Sequence, residues 1–460
     1  MGTVTMCLPS TIQKTSSYAS TKNNLFTNVL NESAHITNNY AGNGLNDCHD
    51  EKGYISKIED WKSKKYVRET RRNIPNGILP TGYTGHLSDY KVVSRGSDDE
   101  VFKKNKDLLR FMTRGLTVMD IGKYSNDCRK DIVISANRKF FECEVGPQGI
   151  DLTGQNYSKH FLKSSTEVFS IVSTEKMNGE AAHFSGRFIE GEFYLIAGSK
   201  NVHLLFQNEE HIEKYTDTCF VLAKVIARTV LQKWNQLNDN HREFMSYFLD
   251  EQRFTVVCEI LLPSQQHVVS LENQTNIELC VLALTEAPFR NTKSLLAKPT
   301  NETLKMFSDL GFRVPYHETL HLNELNSHVK KIRDAKNTEG VVYYFQDANK
   351  NTLGLLKLKS IWYILRRALR EQACNRRMDS NNLNGISPLD YKKDRARKRL
   401  VDIQKWLYTT DEQVKMWQAL SDKWMEFVEK EIEQNRLAPD SIRFSFPTIW
   451  NSLLSNEKVN

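Results

Sequence analysis

One strand-like run sets the terms for the rest of the chain. Phe254-Thr-Val-Val-Cys-Glu-Ile-Leu-Leu262 holds a single carboxylate, Glu259, among otherwise apolar residues. A carboxylate inside a buried strand costs free energy unless it is paired, so Glu259 predicts a hydroxyl, a cation or a metal beside it. The run belongs to a longer region, about 166–360, in which short β-rich segments alternate with turn clusters. Helical patterns interrupt it near 208–250 and 300–312, and the last ninety residues are long helical patterns with few strand signals. Residues 54–110 read as mostly helix and loop, broken at Pro75, Gly77, Pro80 and Gly82. After them, Phe111–Val118 and Asp131–Ser135 read as short strands leading into Lys139-Phe-Phe-Glu142. The expected organisation is a disordered polar leader over 1–53, a mixed α and β domain over 54–372, and a helical, basic C-terminal domain over 373–460.

Composition narrows the setting. With 39% hydrophobic and 26% charged residues the chain can build a sizeable core. Its best apolar run, Cys219 to Leu231, is broken by Lys224 and Arg228, so no membrane span is expected. Eight scattered cysteines without a C-x-x-C pair argue against a disulfide scaffold or structural zinc, and fit a reducing compartment. The Ser/Thr/Asn-rich leader has no Arg, and Met6 stands where a myristoylation signal needs Ser or Thr, so cytosol or nucleus is the expected location. Residues 361–407 carry twelve Lys/Arg against five Asp/Glu, which accounts for the whole formal excess of +7. A polyanion is the natural partner of such a stretch, and a solvated helix face is the plainer alternative.

Between the strand-like runs Val168–Ser173 and Glu180–Phe184 sits Glu175-Lys-Met-Asn-Gly179. A lysine at the mouth of such a turn becomes a nucleophile once its ammonium loses a proton. The K-x-x-G pattern alone is weak, since about one is expected by chance in a chain of this length. Order along the chain adds weight. Gly198-Ser-Lys200-Asn follows the run Glu192–Ala197, then comes Glu259, and then Thr338-Glu339-Gly340 opens another strand. A turn at 347–351 leads to Gly354-Leu-Leu-Lys357-Leu-Lys359, whose period of two puts both lysines on one face. Two like charges on one face suit solvent, or a triphosphate that offsets their repulsion.

Taken together, these residues resemble the motif series of the covalent nucleotidyltransferases, the superfamily of RNA ligases, DNA ligases and mRNA-capping enzymes. Lys176-Met-Asn-Gly179 is similar to the nucleophile motif, Glu259 to the third, Glu339-Gly340 to the fourth and Lys357-Leu-Lys359 to the fifth. Asn178, Ser199-Lys200, Arg114-Gly-Leu116, Lys139-Phe-Phe141, Phe307–Phe312 and Tyr363–Glu371 resemble the adenylyltransferase domain of fungal and plant tRNA ligases and phage-type RNA ligases. The likeness spans about 110–372. It departs at Asn137-Arg138 and at Asn201-Val-His203, where the family usually has Arg-Gly and His-Ser or Gly-Ser. No G-x-x-x-x-G-K-[ST] loop is present, so end-healing by a fused kinase is not expected from this chain.

The resemblance implies an α+β nucleotidyltransferase (ligase) fold with antiparallel sheets and a helical C-terminal domain. It implies an ATP-dependent RNA ligase of RNA repair or tRNA splicing, joining a 5′-phosphate to a 3′-hydroxyl through a lysyl-AMP intermediate and an adenylylated RNA end. By the same resemblance Lys176, Lys357 and Lys359 are catalytic. Arg114, Lys139, Asn178, Gly179, Lys200 and Glu259 bind the nucleotide, and Glu339 holds Mg²⁺ or Mn²⁺. The cluster of cations implies a depressed pKa for Lys176. Lys392, Lys393, Arg395, Arg397, Lys398 and Arg399 imply RNA-backbone contact, with a nuclear-localisation signal as the competing reading. Trp406, Trp417, Trp424 and Met425 read as helix-packing residues. The expected partner is RNA, with tRNA or its fragments as one candidate, without a membrane or an obligate protein partner. An inert RNA-binding relative and a capping-type guanylyltransferase are the alternatives. The helical Arg-rich pattern Ile361–Leu369 stands where the latter would begin an OB-fold.

Overall fold

The computed structural model describes residues 50–96, 98–123, 129–146, 149–152, 160–271, 274–375 and 387–458. Nearly all of the expected leader lies outside them. The chain enters through α1 (Glu51–Ser63), whose start is capped by the Asp50 carboxylate accepting from the Gly53 amide. Four antiparallel strands follow in the order β1 (Val67–Asn73), β2 (Thr84–Val92), β3 (Leu116–Gly122), β4 (Arg129–Ser135), with α2 (Asp99–Lys104) and α3 (Lys106–Phe111) between β2 and β3. β1 and β2 correct the expectation of helix and loop over 54–110. Val67-Arg-Glu-Thr-Arg-Arg-Asn73 is a charged edge strand that lacks the apolar alternation by which strands are recognised.

Two five-stranded sheets form the centre. One has the order β11-β10-β7-β8-β9, built from β7 (Glu180–Ile189), β8 (Glu192–Ser199), β9 (Val202–Phe206), β10 (Thr255–Leu261) and β11 (Glu278–Thr285). The other has the order β12-β6-β13-β14-β5, from β5 (Phe141–Glu142), β6 (Ser170–Glu175), β12 (His317–Leu320), β13 (Gly340–Gln346) and β14 (Thr352–Lys359). All pairings are antiparallel except the short β14–β5 contact. The sheets share a core in which Val172, Val342, Tyr344 and Leu355 of one meet Val257 and Ala283 of the other. Helices α4 (Glu209–Glu213), α5 (Val221–Gln236), α6 (Asp239–Asp250), α7 (Thr300–Asp309) and α8 (Leu325–Asp334) complete this part.

The C-terminal region is helical: α9 (Ile361–Cys374), α10 (Pro388–Leu407), α11 (Asp411–Glu433) and α12 (Ile442–Lys458), the last kinked at Ser445 two residues before Pro447. Its core joins Tyr363, Leu365 and Leu369 of α9 to Leu400, Trp424, Met425, Phe446 and Trp450. Trp424 and Met425 are buried and Trp417 packs against them, as expected, whereas Trp406 is exposed. The architecture is therefore α+β, with antiparallel sheets and a helical C-terminal region. No helix of the described residues is long and apolar enough to cross a membrane.

Candidate active site

Lys176 lies on the link between the two central sheets. β6 ends at Glu175 in one sheet and β7 begins at Glu180 in the other, so Lys176-Met-Asn-Gly179 is a crossover between sheets rather than a simple hairpin turn. The Lys176 amide donates to Gly340 O at 2.8 Å, which extends the β6–β13 ladder by one step and sets the lysine beside Glu339. Gly179 runs so close to the neighbouring strand that a Cβ there would clash with the carbonyl of Ile260.

The side chains then converge. Lys176 Nζ donates to Glu339 Oε1 at 2.9 Å. Asn178 Nδ2 donates to Glu339 Oε2 at 2.8 Å and to the Tyr363 hydroxyl at 3.2 Å. Asn178 Oδ1 accepts from the amides of Val268 and Val269 at 3.1 and 3.0 Å, and the Gly179 amide donates to Glu259 Oε1 at 2.6 Å. Five residues spread over more than 160 positions thus meet in one site. For Glu259 the expectation is a hydroxyl, a cation or a metal; its hydrogen-bond partner is instead the Gly179 backbone amide, while the Lys176 cation is near enough to favour its charged form.

Electrostatics correct one expectation. Burial pulls the Lys176 ammonium downward, but Glu339 and Glu259 outweigh it, and its pKa stands above the ordinary lysine value. Burial, helped by the nearby Glu339, raises that of Glu259. The lysines pulled down are Lys200, to about 8 by burial and by Arg114, and Lys357, to about 8 by burial and by Lys359.

The other expected phosphate ligands form a second group. Arg114 NH2 and Lys200 Nζ lie 3.2 and 3.8 Å from Asp98 Oδ2, and Lys139 Nζ lies 2.9 Å from Asp98 Oδ1 and also pairs with Asp99. Arg114, Lys200 and Asp98 line a cavity of about 300 Å³. Lys359 Nζ sits 3.1 Å from Glu142 Oε2. Lys357 is within electrostatic range of both Lys139 and Lys176, so its charge is felt by both groups. The sequence reading missed Asp98, Asp99 and Glu142; an Asp-Asp-Glu run that opens a helix looks like ordinary helix-start chemistry.

The departure at His203 has a structural explanation. Its Nδ1 lies 2.7 Å from Asp89 Oδ1 and 2.8 Å from Thr117 Oγ1, and its ring stacks on His183. Arg72 NH1 donates to Asp89 Oδ2 at 2.7 Å. This buried chain ties the first sheet to the strand pair that carries Lys200. Arg138, at the other departure, is held by burial at a pKa of about 10 and donates to Asn291 O at 3.4 Å.

The basic segment stands apart from this site, on α10. Lys392 and Lys393 pair with Glu429 and Glu426 of α11, Arg397 with Asp422, and Lys398 with Asp394 on its own helix. Arg395 lies over the Tyr391 ring, and Arg399 is exposed. Much of this charge is therefore balanced locally by a neighbouring helix.

Fold and site together define an α+β protein whose lysine–carboxylate centre sits where two antiparallel sheets exchange a strand connection. The chain belongs to the DUF7920 family, a domain of unknown function, whose model matches residues 78–370. No curated protein matches it. Among solved structures it is similar to an archaeal ATP-dependent RNA ligase, at 13% identity over 83% of this chain and 80% of that one, with a TM-score of 0.46. A second form of an archaeal ATP-dependent RNA ligase aligns at 14% identity over 82% and 77%, also at 0.46. A Naegleria gruberi RNA ligase with pyrophosphate aligns at 12% identity over 65% and 97%, at 0.31.

Proposed function

We propose that the chain is an ATP-dependent RNA ligase that works through a lysyl-AMP intermediate. The observation that carries this reading is the convergence of Lys176, Asn178, Gly179, Glu259 and Glu339 on one crossover, with Lys357 in electrostatic range of both Lys176 and Lys139. The lysine has carboxylates to take up its positive charge, and the triphosphate has Arg114, Lys139, Lys200, Lys357 and Lys359 as counter-charges. Neutral Lys176 Nζ attacks the α-phosphorus of ATP; the N–P bond forms, the bond to the bridging oxygen breaks, and pyrophosphate leaves while the amine proton is lost. An RNA 5′-phosphate oxygen then attacks the same phosphorus and releases the lysine. Finally the 3′-hydroxyl attacks the 5′-phosphate and AMP departs.

No three His, Cys, Asp or Glu side chains gather at one point among the described residues, so a divalent cation would draw on the two carboxylates Glu259 and Glu339 together with the oxygens of the nucleotide itself. When bound there, it would supply positive charge for the phosphates and relieve the repulsion between the two acids. Glu339 is the proposed main ligand and Glu259 also accepts hydrogen bonds from the ribose. We keep 54–372 as the adenylyltransferase domain and 373–460 as the helical domain, with RNA contact assigned to Arg395 and Arg399 ahead of the ion-paired Lys392, Lys393, Arg397 and Lys398.

The test is incubation of the full chain with ATP or GTP labelled at the α-phosphate, followed by a denaturing gel. A label that stays with the protein from ATP, and only weakly from GTP, is expected. Label from GTP alone would assign a capping-type enzyme, and no label from either would leave an RNA-binding relative.

A further inference from the structure

A cavity of about 680 Å³ lies beside the crossover and is walled by the loop after β10 and by the C-terminal helices α9 and α12. Both edges of it connect directly to the site. Val268 and Val269 line it and hold Asn178 through their amides. Asn337 lines it two residues before Glu339.

Among the described residues, one charge in this cavity has no ion-pair partner. The guanidinium of Arg366 lies over two indoles, its Cζ 4.2 Å from the Trp362 ring centre and 4.8 Å from that of Trp450. Its Nε is buried without a hydrogen-bond partner. Burial draws its pKa down to about 10, and among the described residues no carboxylate raises it. The other arginine on the wall, Arg313, is already satisfied by Glu278 and by Gln274 Oε1. Packing over aromatic rings holds a guanidinium in place and leaves N–H donors to grip an anion, and a fork of N–H donors matches phosphate. The rest of the lining mixes apolar side chains such as Leu271 and Trp362 with neutral amides and hydroxyls, including Gln274, Thr275 and Asn276, which suits sugar hydroxyls and base edges. Ligand pockets of about 300–1,000 Å³ hold a molecule of nucleotide size.

We propose that this cavity receives the end of a single-stranded RNA, with a backbone phosphate on Arg366, and delivers it to the nucleotide carried by Lys176. This rests on the ligase reading for the second half of the statement. The first half, RNA binding at Arg366, stands on the cavity alone.

The experiment uses the full chain and a short, fluorescently labelled oligoribonucleotide with a free 3′-hydroxyl, read by anisotropy at several salt concentrations. Arg366→Met keeps the stem against the indoles and removes the charge. It is expected to weaken binding roughly tenfold and to lower the salt slope by about 0.7, the share of one phosphate contact on a single strand. Arg366→Lys should recover part of the loss. Thr275→Glu, an exposed position on the far wall, places a negative charge in the cavity without touching the indoles and should weaken binding in the same direction. All three variants should form the AMP adduct at the wild-type rate. Wild-type RNA affinity in Arg366→Met and Thr275→Glu together would overturn the proposal. Weakened binding in a protein whose wild type forms no adduct would overturn the ligase reading and leave the cavity assignment standing.

Discussion

With Lys176 replaced by alanine, the protein is expected to form no covalent AMP adduct at all, a loss limited only by the detection of the gel. The lysine pairs directly with Glu339, 2.9 Å away, and its charge is also favoured by Glu259. Its position at the sheet crossover is set by the backbone bond to Gly340. Lys176→Arg serves as the control for folding: it keeps the positive charge beside Glu339, yet a guanidinium cannot lose its proton and cannot attack. It too should give no adduct, with a melting transition close to wild type. Both variants should still join RNA that is already adenylylated, because that step needs no amine nucleophile. The result carries information because Lys200 and Lys357, at about 8, lose their protons more easily than Lys176 does in the free protein. If ease of deprotonation decided the nucleophile, Lys176→Ala would keep its adduct and peptide mapping would place it on one of those two. That outcome would remove the basis of the assignment.

How much of this was legible in the sequence depends on whether a feature is local. The period of two puts Lys357 and Lys359 on one face of their strand, and β14 buries the alternating Leu356 and Leu358 while those two lysines stay half-buried; the lone acid of an apolar run, Glu259, likewise lies in a strand, β10. β1 was not legible, because an edge strand of charged residues has no apolar face to mark it. The crossover at Lys176 looked like a hairpin, since nothing within four residues tells a turn from a change of sheet. The sign of the Lys176 shift was misjudged for a related reason. Sequence counts the cations nearby, but Glu339, 163 positions away, sits 2.9 Å from Lys176 Nζ and dominates its charge. In the same way, the run 391–400 reads as a basic patch until α11 folds back and sets Asp422, Glu426 and Glu429 against it. Charge is readable from sequence; its balance is a tertiary property.

That balance motivates the second large effect. Asp98 and Asp99 hold the cations proposed for the triphosphate: Arg114, Lys139 and Lys200 all reach Asp98, and Lys139 also reaches Asp99. ATP must compete with these two carboxylates, so Asp98→Asn is expected to bind ATP about tenfold more tightly at pH 6–7. Tenfold is about 1.4 kcal/mol, well within what one ion pair at this range supplies at an effective dielectric of about 20. Protonation does not free the site in wild type. Burial raises both carboxyls, but Arg114 and Lys139 on Asp98, and Lys139 on Asp99, bring them below the usual aspartate range. Their pairing is therefore complete at neutral pH and is lost only as pH falls through those depressed values. At the alkaline end the sign reverses. Lys200 and Lys357 carry charge below about 8 and lose it above, so ATP affinity should decline from pH 8 upward. Asp98 supports the charge on Lys200, and in Asp98→Asn that decline should begin at lower pH. The gain over wild type is thus largest near pH 6 and shrinks toward pH 9, as measured by equilibrium binding of ATP. A variant that binds ATP more weakly than wild type at pH 6 would show that Asp98 positions the cations for the nucleotide instead of competing with it.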